Sequence, residues 1–236
     1  MATAEPWEDA LASDRSLLDR TSTAERIADV LRQRVIEGAL LPGTRLSEES
    51  AGRALAVSRN TLREAFRLLV HERLLVHEFH RGVFVRVLSE TDVVDLYRLR
   101  RMLETGAVRR PDNTGAERIA AIDQAVRDGE QAAAQGRWME VGTANMRFHQ
   151  TVAALAGSAR VDEIMRQLLA ELRLVFHVMS RPREFHERYL ELNRTIADLI
   201  ATGSLPEAAD QLERYFDTAE AQLVTAYRAE STPSPN

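Results

Sequence analysis

The sequence predicts a mainly α-helical protein of two parts, an N-terminal winged helix-turn-helix followed by an all-α helical bundle. Three short helical patterns and one hairpin pattern occupy residues 21–88, and only helical patterns occupy residues 89–229. The two parts also differ in net charge. On this division, residues 1–20 form an N-terminal extension and residues 230–236 form a tail.

The first of the three short helices is predicted to begin after Ser22 or Thr23, each of which can cap it, and to end at Gly38. Apolar residues recur within it at helical spacing and give it one face for a core. The turn LPGT follows. Ser47 then caps a short second helix, whose acidic first turn suits the positive end of the helix dipole.

The stretch VSRNTLREAF, residues 57–66, begins the third helix, which Ser58 caps and which continues to about Glu72. Because a helix turns by about 100° per residue, apolar side chains fall on one of its faces and arginines on another. The apolar residues are Leu62, Phe66 and Leu69, and the arginines are Arg59, Arg63 and Arg67. The apolar face is predicted to dock on the first two helices, which leaves the arginines facing outward.

The segment LLVHEFHRGVFVRV consists of two runs rich in Val and Phe, separated by HRG, and this pattern predicts a β-hairpin in which Gly82 supplies a positive φ. In the second run, inward and outward residues are predicted to alternate from Val83 to Val87. Three helices followed by a hairpin within about 65 residues are the plan of a winged helix-turn-helix, whose third helix enters the major groove of DNA.

The formal net charge of −5 is distributed unevenly along the 236 residues. Residues 21–88 hold 11 arginines and eight acidic residues, a net charge of +3, so the rest of the chain carries −8. A basic part joined to an acidic part is typical of a nucleic-acid-binding module attached to a domain with another role. We therefore expect the winged part to bind double-stranded DNA.

Composition excludes several kinds of site and predicts a location. The chain has no cysteine, which excludes disulfides, thiol nucleophiles and thiolate metal sites. No apolar run approaches the roughly 18 residues that a membrane span needs, and the acidic start of the chain lacks the hydrophobic segment of a secretory leader. We therefore expect a cytoplasmic protein without membrane association.

The part after Ser89 shows helical patterns without a strand signal, punctuated by glycine and proline. The predicted helices span residues 89–110, 115–134, 138–156, 160–180, 184–201 and 206–229. This pattern predicts an all-α bundle.

Several of these segments resemble known proteins. LRQRVIEGALLPGTRLSEES, VSRNTLREAFRLL and the RGVFV wing resemble the GntR family of transcription regulators. DLYRLRRMLE and NMRFHQTVAALAG resemble the FCD type of effector domain, of the FadR-like subfamily. The resemblance implies a homodimer, most often a repressor, that binds a short palindromic operator. It also implies that a small molecule, usually a carboxylate, enters the helical bundle and changes DNA binding.

By that resemblance, the DNA-contacting positions lie before the second helix, at the start of the third helix and at the wing tip. They are Arg45, Ser58, Arg59, Asn60, Arg63, Arg81 and Gly82. Arginine can pair bidentately with guanine, and Arg59 and Arg63 are our candidates for that role. Ser58 and Asn60, at a helix N-terminus, can donate to phosphate. The alternative for any single arginine is an ordinary solvated surface residue.

In the helix over residues 89–110, Arg100 interrupts an apolar stripe, and Glu104 follows one turn later. A guanidinium directed at a core is costly unless it is paired. Either Glu104 satisfies it as an intrahelical ion pair, or it binds an anionic ligand. The resemblance favours the ligand, because the matching arginine of FCD-type domains contacts the effector.

Many FCD-type domains hold a divalent metal with one Asp and three His. The matching positions here are Asn145, His149, Asn193 and Tyr215, of which His149 alone retains a side chain of the expected type. An amide and a neutral phenol lack the charge and basicity that hold a transition metal. We therefore predict that these four residues bind the effector directly. The alternative is that they satisfy one another through buried water.

We predict no metal cofactor; the alternative is a metal held by His149 together with His177 or His186. An enzyme built in the bundle would need at least three convergent ligands and a base, and the sequence offers one histidine at the expected positions. We therefore predict that the chain is not an enzyme. A dimerisation module without an effector is the remaining alternative.

Overall fold

The computed structural model describes residues 22–112, 114–177 and 182–231. The predicted N-terminal extension and the residues after Ser231 lie outside this part, as do the side chains of His177 and of residues 227–231. Within the described ranges, no helix combines the length and the apolar character needed to cross a bilayer.

The described residues divide into two compact units, one ending at Val85 and the other beginning at Arg86. This division falls three residues before the predicted boundary between residues 88 and 89. The first residue of the second unit, Arg86, forms ion pairs with Asp92 and Glu171 of the same unit.

The first unit follows the predicted order of three helices and a hairpin. Its elements are α1 (Thr23–Ile36), β1 (Arg45–Leu46), α2 (Glu48–Leu55), α3 (Arg59–His71), β2 (Leu75–Glu78) and β3 (Gly82–Val85). Ser22 caps α1 in a reciprocal capping box with Glu25, and Ser47 and Ser58 cap α2 and α3. Each cap satisfies a backbone N–H that the first helical turn leaves without a partner.

The core of this unit is formed where α1 and α3 pack together beside the hairpin. Its side chains are apolar and fully buried, and they include Val35, Leu62, Phe66, Leu69 and Val85. Their periodicity in the sequence is helical in α1 and α3 and alternating in β3, so burial follows the predicted faces.

The strands form a three-stranded antiparallel sheet in the order β1-β3-β2. The hairpin pairs Leu75 with Val85 and Glu78 with Gly82, and β1 pairs Arg45 with Phe84. The sequence predicted the hairpin but not β1, which has two residues. The predicted alternation to Val87 is wrong at its end, because β3 stops at Val85 and Val87 is exposed.

The second unit is all-helical within the described residues, as predicted. Its helices are α4 (Glu90–Arg109), α5 (Ala116–Ala134), α6 (Trp138–Ala153), α7 (Ala159–His177), α8 (Pro182–Ala201) and α9 (Leu205–Ser231). A single 3-10 turn over Ala154–Ala156 ends the segment that was predicted to be helical to residue 156. α4 packs mainly on α9, and α5 packs on α6 and α8. The polar residues discussed below lie in the interior of this bundle.

Candidate nucleic-acid interface and candidate effector site

The two faces of α3 are those that its sequence predicts. Leu62, Phe66 and Leu69 are buried, whereas Arg59 and Arg63 are exposed. α3 is therefore anchored by its apolar side and presents guanidinium groups at the surface of the unit. The two arginines lie four residues apart, which places them one turn apart on the same face.

Ser58 is the N-cap of α3 and is exposed at the surface. Its Oγ accepts a hydrogen bond of 3.2 Å from the backbone N–H of Thr61 and lies 2.7 Å from the hydroxyl of Thr61. The next residue, Asn60, is exposed in the first turn. Backbone N–H groups at such a helix end attract anions, because the helix dipole is positive there.

The wing tip needs two residues with positive φ. Gly82 has φ of 109°, as the sequence predicted, and His80 has φ of 61°, which the sequence did not indicate. Between them, Arg81 is exposed, pairs with Glu78, and lies with its guanidinium carbon 5.5 Å from the centre of the Phe84 ring. A basic side chain therefore stands at the end of the hairpin.

Arg45 and Gly82, which are far apart in the sequence, lie side by side because β1 pairs with β3. A Cβ placed on Gly82 would lie 3.5 Å from Nε of Arg45, so the side chain of Arg45 passes over the wing glycine. Arg45, Arg59, His77 and Gly82 line one open cleft of about 390 Å³. The fold thus brings predicted DNA-contacting residues from three segments to the rim of the same cleft.

Arg63 has an acidic partner that the sequence reasoning missed. Its Nε donates to Oε1 of Glu48 at 3.3 Å, and its Nη2 donates to Oε2 of Glu48 at 3.0 Å. Glu48 begins α2, 15 residues earlier in the chain, and the packing of α2 beside α3 brings the two together. Hydrogen bonding to Arg63 lowers the pKa of the Glu48 carboxyl below its usual value, so the pair is ionised.

In the helical unit, Arg100 and Glu104 form a buried ion pair within α4. Nε of Arg100 donates to Oε1 of Glu104 at 3.1 Å, and the two side chains are 1% and 0% exposed. The guanidinium also lies over the rings of Tyr97 and Phe216. Glu104 thus compensates the charge of Arg100, as one of the two sequence interpretations stated. Nη2 of Arg100 has no hydrogen-bond partner among the described residues.

Glu104 is shared with His149 of α6. Its second oxygen, Oε2, lies 2.6 Å from Nδ1 of His149. Burial lowers the pKa of His149 below its usual value; the charge of Glu104 acts against this shift and that of Arg100 acts with it. A neutral His149 that donates from Nδ1 to the carboxylate keeps a lone pair on Nε2, which is buried without a partner among the described residues.

Asn145 lies at the centre of the remaining polar contacts. Its Oδ1 accepts a hydrogen bond of 2.7 Å from Nδ2 of Asn193 and another of 3.1 Å from the hydroxyl of Tyr215. The ring of Tyr215 lies 4.8 Å from that of His149, centre to centre. The four residues that the resemblance singled out on α6, α8 and α9 are therefore neighbours in the interior of the bundle.

A small cavity adjoins this cluster, among α5, α6 and α8. Measured as the space open to the centre of a water-sized sphere, its volume is about 10 Å³, and Asn145, Asn193 and His186 contribute to its wall. A buried water needs about 10–15 Å³ by this measure. The cavity therefore has room for about one water molecule.

His186 was considered in the sequence only as a substitute metal ligand, yet it is a buried wall residue of this cavity. Burial and the positive charge of Arg173 lower its pKa to about 4. Gly142 of α6 makes room for both side chains, since a Cβ there would lie 2.8 Å from Nε2 of His186 and 3.0 Å from Nη1 of Arg173. The helical spacing of His186 and Asn193, seven residues apart, indicates this shared face.

The polar cluster does not fit a transition metal. Oδ1 of Asn145 already accepts two hydrogen bonds, and burial raises the pKa of the Tyr215 phenol well above its usual value, so the phenol stays protonated. Within the described residues, no group of three or more His, Cys, Asp or Glu side chains has the arrangement of a metal site. The side chain of His177, a predicted substitute ligand, lies outside that part.

Two family models match the chain. Residues 23–85 match the bacterial regulatory proteins of the gntR family, and residues 95–218 match the FCD domain. The second match spans more than half of the chain. The two matched segments correspond to the winged unit and the helical unit described above.

Individual proteins are similar over most of their length. A crystal structure of a transcriptional regulator GntR from Rhodococcus sp. RHA1 is 42% identical, with a TM-score of 0.81, over 88% of this chain and 100% of that one. The HTH-type transcriptional regulator BphR of Paraburkholderia xenovorans (strain LB400) is 31% identical over 77% of this chain and 76% of its own. The gluconate operon transcriptional repressor of Bacillus licheniformis is 25% identical over 87% of each chain.

Proposed function

Because the chain belongs to the GntR family of bacterial regulatory proteins and carries an FCD domain, we propose that it is a homodimeric repressor whose binding to a palindromic operator responds to a small molecule. Its membership makes it a DNA-binding transcription regulator rather than an enzyme. The proposal includes the homodimer, the operator symmetry, the effector and the roles of individual residues.

The exposed arginines of α3 carry the DNA-binding part of the proposal. Arg59 and Arg63 share the outward face of a helix whose other face is anchored, and Arg45 and Gly82 stand beside that helix across the cleft. Arginine at such positions pairs with guanine in the major groove, and Arg45 and Arg81 suit phosphate contacts. Ser58, Asn60 and the N-terminus of α3 favour a phosphate as well.

A gel shift with a duplex selected from a random library by the full-length protein tests these roles. Arg59→Ala should weaken binding at least about fivefold, since a bidentate contact contributes about 1–3 kcal/mol. The matched control is Arg214→Ala, an exposed arginine of α9 in the helical unit, which should leave binding unchanged. If neither Arg59→Ala nor Arg63→Ala weakens binding, the assignment of α3 as the reading helix fails.

The buried polar cluster carries the effector part of the proposal. Arg100, Asn145, His149, Asn193 and Tyr215 lie close together in the interior of the bundle. Buried polar atoms are nearly always hydrogen-bonded, and this cluster leaves a guanidinium N–H, an imidazole lone pair and an amide oxygen without partners among the described residues. These atoms match a small molecule that carries a carboxylate and hydroxyl groups.

The unpartnered polar atoms of the cluster match the functional groups of a hydroxy acid. A carboxylate suits Nη2 of Arg100, and a hydroxyl can donate to Nε2 of His149 or to Oδ1 of Asn193. One relative is named for the gluconate operon, and gluconate is itself a carboxylate with several hydroxyl groups. The cavity has room for about one water, so binding such a molecule requires the surrounding side chains to separate.

Thermal denaturation of the purified protein with a panel of hydroxy acids, simple carboxylates and polyols tests this part. A ligand that binds only the folded state raises the midpoint, by an amount that grows with its concentration. We expect hydroxy acids to raise it more than either other class. If no compound raises the midpoint or alters the gel shift, the bundle is a dimerisation module without an effector.

Metal content and oligomeric state need separate measurements. We propose that no transition metal is tightly bound, because Asn145, Asn193 and Tyr215 stand at three of the four positions where a metal would need charged or strongly basic ligands. Elemental analysis of protein purified without chelators should find less than stoichiometric zinc, nickel and manganese.

Light scattering on the full-length protein should give twice the mass of one chain, which is 26.5 kDa.

A further inference from the structure

We propose that Glu48 is a positioning residue for Arg63, one that orients the guanidinium for reading a guanine and thereby raises the sequence specificity of DNA binding. This inference rests on the proposed function, in which Arg63 contacts a base. It names a residue outside the set that sequence reasoning assigned to DNA contact, on a different helix from the one that carries the arginine.

The two hydrogen bonds hold one edge of the guanidinium. Glu48 accepts from Nε at 3.3 Å and from Nη2 at 3.0 Å, so both carboxylate oxygens and one complete edge of the planar group are engaged. Two parallel bonds fix the plane and the rotation of the group, whereas a single bond would fix neither. The backbone of Glu48 is itself held in the first turn of α2, directly after the Ser47 cap.

The opposite edge remains available to DNA. A guanidinium has five N–H donors, and the bonds to Glu48 use one on Nε and one on Nη2. The donors of Nη1 and the second donor of Nη2 point away from the carboxylate and have the spacing that matches O6 and N7 of guanine. The side chain of Arg63 is 54% exposed, so the arginine lies at the surface of the free protein.

A purely stabilising role explains this pair poorly. An ion pair with half-exposed partners contributes little to folding, because water screens the charges and ordering two side chains costs entropy. A carboxylate at a DNA-facing cleft also opposes binding, since it repels phosphates. Glu48 lines the same cleft as Arg45 and Arg59. An acid at this place is therefore expected to weaken binding to every duplex while favouring the one that offers Arg63 a guanine.

Removing the Glu48 carboxylate should raise the affinity for non-specific DNA and lower the sequence specificity. In Glu48→Ala, each chain loses one negative charge at the surface and Arg63 regains its rotational freedom, so affinity for non-specific DNA should rise. The preference for the selected duplex over one with the contacted guanine replaced should fall, by about fivefold or more. Glu48→Gln keeps one oxygen acceptor and should retain part of the preference.

Glu49→Ala is the matched control. Glu49 is the adjacent residue in the same helical turn, carries the same charge, and pairs with Arg53 rather than with Arg63. Both alanine variants change the net charge by the same amount. We would measure dissociation constants of the full-length variants for three duplexes at one salt concentration: the selected one, the guanine-substituted one and an unrelated one. The expected result is a loss of preference in Glu48→Ala but not in Glu49→Ala.

Arg63→Ala distinguishes failure of this inference from failure of the proposed function. If Arg63→Ala abolishes the guanine preference while Glu48→Ala keeps it, the positioning role is wrong and the reading role of Arg63 stands. If Arg63→Ala itself leaves the preference intact, the base contact fails and the inference fails with it. In the double variant, Glu48→Ala should cause no further loss of preference, because Arg63 is no longer present to be oriented.

Discussion

Oε2 of Glu104 lies 2.6 Å from Nδ1 of His149, between two helices of the bundle interior. The same carboxylate accepts from Arg100, so one acid links a cation of α4 with an imidazole of α6. By accepting a hydrogen bond from Nδ1–H, Glu104 fixes the tautomer of His149 and leaves Nε2 as an acceptor. The chemistry of the proposed effector site therefore depends on a residue that the effector need not touch.

Glu104→Ala should destabilise the protein by about 3–5 kcal/mol, because it leaves the buried guanidinium of Arg100 without a counter-charge. Urea denaturation would measure the loss. Arg100→Met combined with Glu104→Leu removes both charges and should cost much less than Glu104→Ala alone. If Glu104→Ala costs less than about 1 kcal/mol, the charge of Arg100 is compensated by another group.

Acid should destabilise the helical unit through His186. Burial and Arg173 lower its folded pKa to about 4, whereas in the unfolded chain it titrates near 6.5. Between these values the unfolded state binds more protons, so the free energy of unfolding falls as the pH falls, by on the order of 3 kcal/mol in total. His149, whose pKa is also lowered, contributes in the same direction.

His186→Gln tests this dependence. Denaturation of both proteins should be measured from pH 7.5 to 4. The free energy of unfolding should depend less steeply on pH in the variant, and the difference in slope should correspond to at most one bound proton. Equal slopes for the two proteins would contradict the assignment of the acid sensitivity to His186.

Arg45→Ala should reduce the salt dependence of DNA binding. A lost phosphate contact lowers the slope of log K against log salt by about 0.9, and a dimer loses two contacts. We therefore expect a slope smaller by about 1.8, with equal loss for selected and unrelated duplexes. Gel shifts at four salt concentrations would measure it. A loss confined to the selected duplex would instead identify Arg45 as a base contact.

Tyr215→Phe should weaken effector binding while costing little stability. Asn145 keeps its bond from Asn193 when the phenol is removed, so the cost to stability should be about 1 kcal/mol. The thermal shift caused by an effector should shrink in the variant, if the effector contacts this hydroxyl. Tyr189→Phe is the control, because the Tyr189 hydroxyl donates to Gln222 instead. A larger loss of the shift in Tyr189→Phe would place the site elsewhere.

The element types of the fold were predictable because their signals are local. Serine caps, glycine stops and helical periodicity lie within a few residues of the structure that they specify. β1 was not predictable, since its two residues become a strand only by pairing with Phe84 and Val83, almost 40 residues later. Likewise, the early end of β3 depends on where that pairing stops.

In the candidate sites, too, the sequence predicts the local features but not the contacts between helices. The exposure of Arg59 and Arg63 follows from the face of one helix, so the sequence predicts it. The partners Glu48 for Arg63 and Glu104 for His149 lie on separate helices, 15 and 45 residues away. Only the packing of those helices decides such pairs, and no pattern within one helix indicates them.

The pairing of β1 with β3 ties the stretch before α2 to the hairpin. The backbone of Val85 exchanges two hydrogen bonds of 2.9 Å with Gly43 and Thr44, so Arg45 cannot shift independently of the hairpin that carries Gly82. In the proposed function, these two neighbouring residues therefore meet the DNA backbone as one rigid unit rather than as two adjustable contacts. A duplex whose backbone adopts the matching shape at little cost would then be favoured, although the protein does not touch the bases that set that shape.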